Sequence, residues 1–186
     1  MIEVKELRAL RGPNRHTRHT AIFMVLDIKA YEDLPSDKID GFSDRLLTLM
    51  PTLQEHGCSI GKPGGFIQRL QTGTWAGHII EHIAIELQCL AGMEVGYGKT
   101  LDTSKKGIYI VVFRYLVESA GLKAAKEAIS LFEAVAQDKR FDVSQVISEL
   151  KILREDHMLG PTTWSIVKEA NSKGIPFIRL NDDSHI

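Results

Sequence analysis

Residues 21–28 read Ala21-Ile22-Phe23-Met24-Val25-Leu26-Asp27-Ile28, a nearly continuous apolar run with β-branched and aromatic members. Such a run suits a strand covered on both faces. Working outward, residues 2–7 are expected to pair with it, and the stretch 107–115 (Gly107-Ile108-Tyr109-Ile110-Val111-Val112-Phe113-Arg114-Tyr115) reads as a second buried strand. Residues 175–180 read as a short last strand. Between the strands lie segments with helical spacing at 36–50, 74–90, 117–137, 144–156 and 162–173. Thr74 is the expected N-cap of the second and Gly92 its left-handed stop. Gly121 weakens the first turns of the third. Arg11 to His16 reads as a basic connecting loop, and 57–73, with Gly61, Pro63, Gly64, Gly65 and Gly73, as a shaped loop before the second helix. This order of strands and helices implies an α/β (α+β) fold: a single mixed domain whose central sheet of a few strands is packed by helices.

Composition narrows the function. With 186 residues and 44% hydrophobic content, the chain can build one sizeable core. Its 23 basic and 24 acidic side chains leave a formal charge of -1, so no long-range field favours nucleic acid or an anionic membrane. No uninterrupted apolar segment of signal-peptide or membrane-spanning type is present. Two cysteines, Cys58 and Cys89, are too few for a disulfide framework, which points to free thiols and a cytoplasmic location.

The chemistry concentrates on the helix expected at 74–90. At about 100° per residue, His78, Glu81, His82, Ile85, Glu86, Gln88 and Cys89 share one side, and Ile79, Ile80, Ile83, Ala84, Leu87 and Leu90 the other. The second set is a core stripe. The first mixes charge with apolar groups, like the half-buried wall of a cleft. His78-Ile79-Ile80-Glu81-His82 is an HxxEH pattern, the inverse of the zinc-protease HExxH signature. Imidazoles one turn apart can share one Zn2+ or another divalent metal, while Glu81 serves as the catalytic general base that moves a proton from water to the leaving nitrogen. Equally, such a cluster can be no more than hydrogen-bonded surface groups. A third ligand is required, and Glu118, from a separate helix, closes a tetrahedron more naturally than Glu86, because positions 78 and 86 are about 12 Å apart on a straight helix. Glu86 remains the alternative ligand, and His56 and Cys58 are chemically possible.

The run Cys58-Ser59, Gly64-Gly65-Phe66, Arg69-Leu70, Gly73-Thr74, Gly77-His78, Glu81-His82 and Glu86-Leu87-Gln88 resembles the amino-terminal domain of cyanophycin synthetases. Leu10-Arg11-Gly12-Pro13-Asn14, Ala91-Gly92-Met93, Val95-Gly96-Tyr97-Gly98, Val111-Val112, Leu159-Gly160-Pro161-Thr162 and Gly174-Ile175-Pro176 extend the resemblance over essentially the whole chain, in the family's order. The resemblance implies a domain at 1–176, with 177–186 beginning a linker to an ATP-grasp domain that is followed by a Mur-ligase-like domain. In the family those two extend a poly-aspartate backbone and attach arginine to its side chains. No Walker-type loop occurs, so ATP is not expected on this chain. In some members this domain is similar to a metallopeptidase that cuts cyanophycin into primers; carried over, Glu81 is the general base and His78 and His82 the ligands. The alternative reading is a non-catalytic domain that grips the polymer and braces the catalytic domains. Arg114 stands where many relatives have an acidic residue. A polymer bearing both a guanidinium and a carboxylate in each repeat needs a groove of mixed sign. Arg11, Arg15, Arg18, Lys62 and Arg69 are candidates to capture its carboxylates, and the Gly64-Gly65 backbone is a candidate to approach its chain. The expected partners are therefore the polymer, the two further domains and a second copy in a homo-oligomer, with no nucleic acid and no membrane.

Overall fold

A computed structural model describes residues 1–180. Four antiparallel strands form one sheet in the order β1 (Glu3–Leu10), β2 (Ala21–Asp27), β4 (Ile108–Arg114), β3 (Gly98–Asp102). The two apolar runs are the central pair: Ala21 to Asp27 align with Arg114 to Ile108, so Ile22 faces Phe113 and Met24 faces Val111. Alternation then sorts the side chains. Ile22, Met24, Leu26, Val111 and Phe113 enter the main core, and Ala21, Phe23 and Val112 form a smaller cluster on the other face. His16 and Arg15 of the 11–20 connection lie over the Phe23 ring. The β2 strand is thus covered on both sides, as its composition requires.

Six α-helices and four short 3-10 helices complete the described chain; the α-helices are α1 (Phe42–Leu49), α2 (Gly65–Thr72), α3 (Ala76–Leu90), α4 (Glu118–Ala136), α5 (Val143–His157) and α6 (Pro161–Ser172). The result is a single mixed α/β domain. α3 and α4 bury Ile79, Ile80, Ile83, Leu87, Leu131 and Phe132 in the main core. Gly77 brings α3 close to the sheet, since a Cβ there would sit 3.3 Å from both Thr100 Cγ2 and Tyr109 Cβ. α3 ends where Gly92 takes φ +81. Its N-cap is Trp75, with Thr74 one position outside.

Several local expectations are corrected. Only the first half of the glycine-rich segment is irregular; from Gly65 it is α2, entered through Gly64 at φ +81 and held by buried Phe66 and Leu70. The helix expected over 36–50 begins as a short 3-10 turn at Ser36–Lys38 and becomes α-helical at Phe42, after Gly41 at φ +62. The buried Ser36 hydroxyl bonds Leu70 O (2.8 Å) and Thr74 N (3.0 Å), tying the end of α2 to the start of α3. Residues 175–180 form no strand: Ile175, Ile178 and Leu180 are exposed, and Arg11 Nη1 donates to Leu180 O at 2.8 Å. Of the expected linker 177–186, residues 181–186 lie outside the described residues. Gly98–Asp102, whose Gly-Lys-Thr-Leu-Asp sequence has little apolar character, is nonetheless a strand, paired with β4 alone.

Candidate functional site

α3 and β3 form two walls of a cleft of about 590 Å³, and residues around 56–59 form a third; its lining includes His78, Glu81, His82, Cys58, Arg69 and Thr100. The polar face of α3 is a cleft wall, as its mixed composition suggests. Glu81, His82 and Glu86 are each only 5–6% exposed.

The two imidazoles are held by separate hydrogen-bond chains. Thr74 Oγ1 lies 2.9 Å from His78 Nδ1, and Cys58 Sγ lies 3.1 Å from His78 Nε2. His82 Nδ1 lies 2.8 Å from His56 Nδ1, and His56 Nε2 lies 2.7 Å from Glu86 Oε2. Phe66 stacks on His82 with ring centroids 4.1 Å apart. Where His56 Nε2–H donates to Glu86 and His56 Nδ1 accepts from His82 Nδ1–H, His82 Nε2 is left as a bare lone pair. A hydrogen bond from His78 Nδ1–H to the Thr74 hydroxyl turns the His78 Nε2 lone pair toward the Cys58 sulfur. Burial, reinforced by Arg69, pushes His78 down to about 4. Burial, with His78 and His56 adding to it, pushes His82 down to about 2. Both rings are therefore neutral at physiological pH, the form a metal ion requires.

Glu81 sits beneath β3. Thr100 Oγ1 donates to Glu81 Oε2 at 2.6 Å, and a Cβ at Gly98 would overlap Glu81 Oε1. Burial raises this carboxyl to about 7, and the Thr100 hydrogen bond opposes only part of that rise. At neutral pH it is divided between its two protonation states, which suits a group that must both take and give a proton. Burial alone would raise Glu86 as well, but hydrogen bonds from His56 and Thr52 outweigh it and hold that carboxyl below its ordinary value.

The donor set fits a divalent ion. One ligand atom each from Cys58, His78 and His82 lie within 4.8 Å of one another. Tetrahedral zinc bound by nitrogen and sulfur implies ligand–ligand edges of roughly 3.3–3.6 Å, so modest side-chain adjustment closes the set. The side chain placed to act as a third donor beside the imidazoles is that of Cys58, at φ +50 in a short 3-10 turn. Glu118 is not brought to this cleft: its carboxylate takes two hydrogen bonds from Arg11, at 2.6 and 2.7 Å, and lines a separate cavity with Arg18, Arg114 and Trp164. Glu86 stands one layer behind the imidazoles, through His56.

Of the residues considered for polymer contact, Arg69 lines the cleft. Arg11 is engaged by Glu118, and Arg18 lines the other cavity. Arg15 lies over the Phe23 ring on the far face of the sheet. Lys62 and Gly64 are absent from the lining, and Gly65 is buried where a Cβ would overlap the Gly57 carbonyl oxygen. The glycine pair shapes the turn against its own backbone. Lys99 and Thr100 also border the cleft, in a segment whose own sequence announces no strand. Both cysteines are free, and no helix among the described residues is long and apolar enough to cross a membrane.

A family model described as the cyanophycin synthase-like N-terminal domain matches residues 23–137. Cyanophycin synthetases of Trichormus variabilis and Nostoc sp. are each 43% identical to this chain over 185 residues, covering 97% of it and 20% of the relative. That of Geminocystis herdmanii is also 43% identical, with 97% and 21% covered. The chain spans about one fifth of the length of these relatives.

Proposed function

The chain belongs to the cyanophycin synthase-like N-terminal domain family, and from that premise we propose that it is the amino-terminal part of a cyanophycin synthetase that cuts the polymer internally with a divalent metal ion. The shortened chains serve as primers for the polymerising ATP-grasp and Mur-ligase-like domains of a longer cytoplasmic protein. One observation carries the reading: Cys58, His78 and His82 cluster in the same cleft as a carboxyl, Glu81, poised near neutral pH.

In this reading Cys58, His78 and His82 hold the ion, with Thr74 orienting His78 and the Glu86–His56 pair orienting His82. A divalent cation held there would supply Lewis-acid polarisation. Glu81 takes the proton from the attacking water and returns it to the departing amide nitrogen. Thr100 holds the carboxylate in place during both transfers. Arg69 draws the polymer's free carboxylates to the cleft.

The test is incubation of the purified protein with cyanophycin, with and without a chelator, following product length. The wild-type protein shortens the polymer, and both chelation and Glu81→Gln abolish shortening. Polymer that keeps its length in every metal condition tried would refute the hydrolytic reading and leave a polymer-binding domain without catalysis.

A further inference from the structure

β3 is the terminal strand of the sheet, and its outer edge borders the cleft. The Arg114 N–H donates to Tyr97 O at 2.9 Å, which marks that opposed pair as hydrogen-bonded. Such pairs alternate along an antiparallel ladder, so Lys99 opposite Val112 and Leu101 opposite Ile110 spend their backbone groups on β4. Gly98 and Thr100 therefore turn their N–H and C=O groups to the outer side. Among the described residues no strand takes that side. The same two residues stand over Glu81: Thr100 bonds its carboxylate, and Gly98 leaves room for it.

We propose that β3 receives the main chain of the polymer as an added strand, with Gly98 and Thr100 supplying the backbone hydrogen bonds. The inference rests on the reading of the cleft as the polymer's site. An added strand lies about 4.8 Å from its neighbour, so its amides pass along the rim of the cavity that holds Glu81. Side chains on a strand alternate, so every second arginine-bearing group of the guest projects away from the cleft and needs no pocket. The remainder meet Arg69, a cation on the cleft wall that matches the free carboxylates carried by each arginine. Main-chain recognition of this kind tolerates bulky side chains of uniform chemistry, which is what a polymer of one repeating unit presents.

The experiment is residue-resolved amide hydrogen exchange by NMR on the full chain carrying Glu81→Gln, titrated with a soluble oligomer of aspartyl-arginine units. At saturation, exchange at Gly98 and Thr100 slows by about tenfold or more, while Lys99 and Leu101, already bonded to β4, change little. No saturable binding, or binding that leaves the Gly98 and Thr100 amides exchanging as before, overturns the proposal. A second variant, Gly96→Trp, blocks the track without touching Glu81, because a Cβ at Gly96 meets nothing within 4 Å and its φ lies outside the left-handed region. It should lose oligomer binding while keeping its melting temperature; undiminished binding counts against the added strand. The two readings fail separately. Protection at β3 without cleavage by the wild-type protein removes the hydrolytic step alone, and cleavage without protection removes the added strand alone.

Discussion

Phe66→Ala tests the link between packing and the site most directly. The Phe66 ring is wholly buried, stacks on His82 with centroids 4.1 Å apart, and meets His78 edge-on at 5.8 Å. Removing a fully buried phenylalanine costs about 3–5 kcal/mol, a large part of the roughly 5–15 kcal/mol that keeps a domain folded. At about 2–4 °C per kcal/mol for a chain of this size, the melting temperature falls by roughly 6–20 °C. The ring also fixes the plane of His82, so zinc affinity should fall by about tenfold or more even where the variant is fully folded. Urea denaturation at 25 °C reads the first effect and competition with a chromogenic zinc chelator the second. Phe66→Leu keeps most of the volume and should cost about 1.5 kcal/mol or less. A stability loss under about 1 kcal/mol for Phe66→Ala, with unchanged zinc affinity, would refute the argument that this ring organises the site.

Three further outcomes are expected. Cys58→Ser weakens zinc binding in the same competition assay, whereas Glu118→Gln leaves it unchanged and, losing a pair whose Arg11 partner is half exposed, costs less than about 1 kcal/mol; zinc loss with Glu118→Gln would restore that residue as the third ligand. Zinc at one hundred times its dissociation constant raises unfolding free energy by about 2.7 kcal/mol, seen as an upward shift of the melting curve that EDTA reverses and His78→Ala eliminates. Gly121→Ala gains about 1 kcal/mol of helix propensity but places a Cβ 2.7 Å from Tyr115 Cβ and 3.1 Å from Ile22 Cδ1. Overpacking of about 1–3 kcal/mol should win, so urea unfolding shows a net loss of stability, and a gain would show that α4 shifts freely over the sheet.

What was legible in the sequence was whatever depends on neighbours a few residues apart. The runs at 21–28 and 107–115 carry their own apolar content, and they became the central strands β2 and β4. The i, i+4 spacing of His78 and His82 places both rings on one wall of α3 whatever the rest of the chain does. Gly92 ends that helix because the backbone there needs φ +81, which glycine adopts freely. Even so, Gly64 and Gly65 hid a helix, because a glycine at a helix entrance and one in an open loop look alike until Phe66 and Leu70 find a core to enter.

Tertiary structure decided everything that joins distant segments. Cys58 meets His78 across 20 positions, His56 meets Glu86 across 30, and Thr100 reaches Glu81 across 19. Arg11 draws Glu118 into an ion pair across 107 positions, a competition that no local pattern registers. β3 is a strand because β4 offers it a ladder and α3 covers its face, not because its own side chains ask for one. Periodicity along a chain tells which side of an element is apolar; which groups confront its polar side depends on how loops close and helices pack, and that is set only when the whole core assembles.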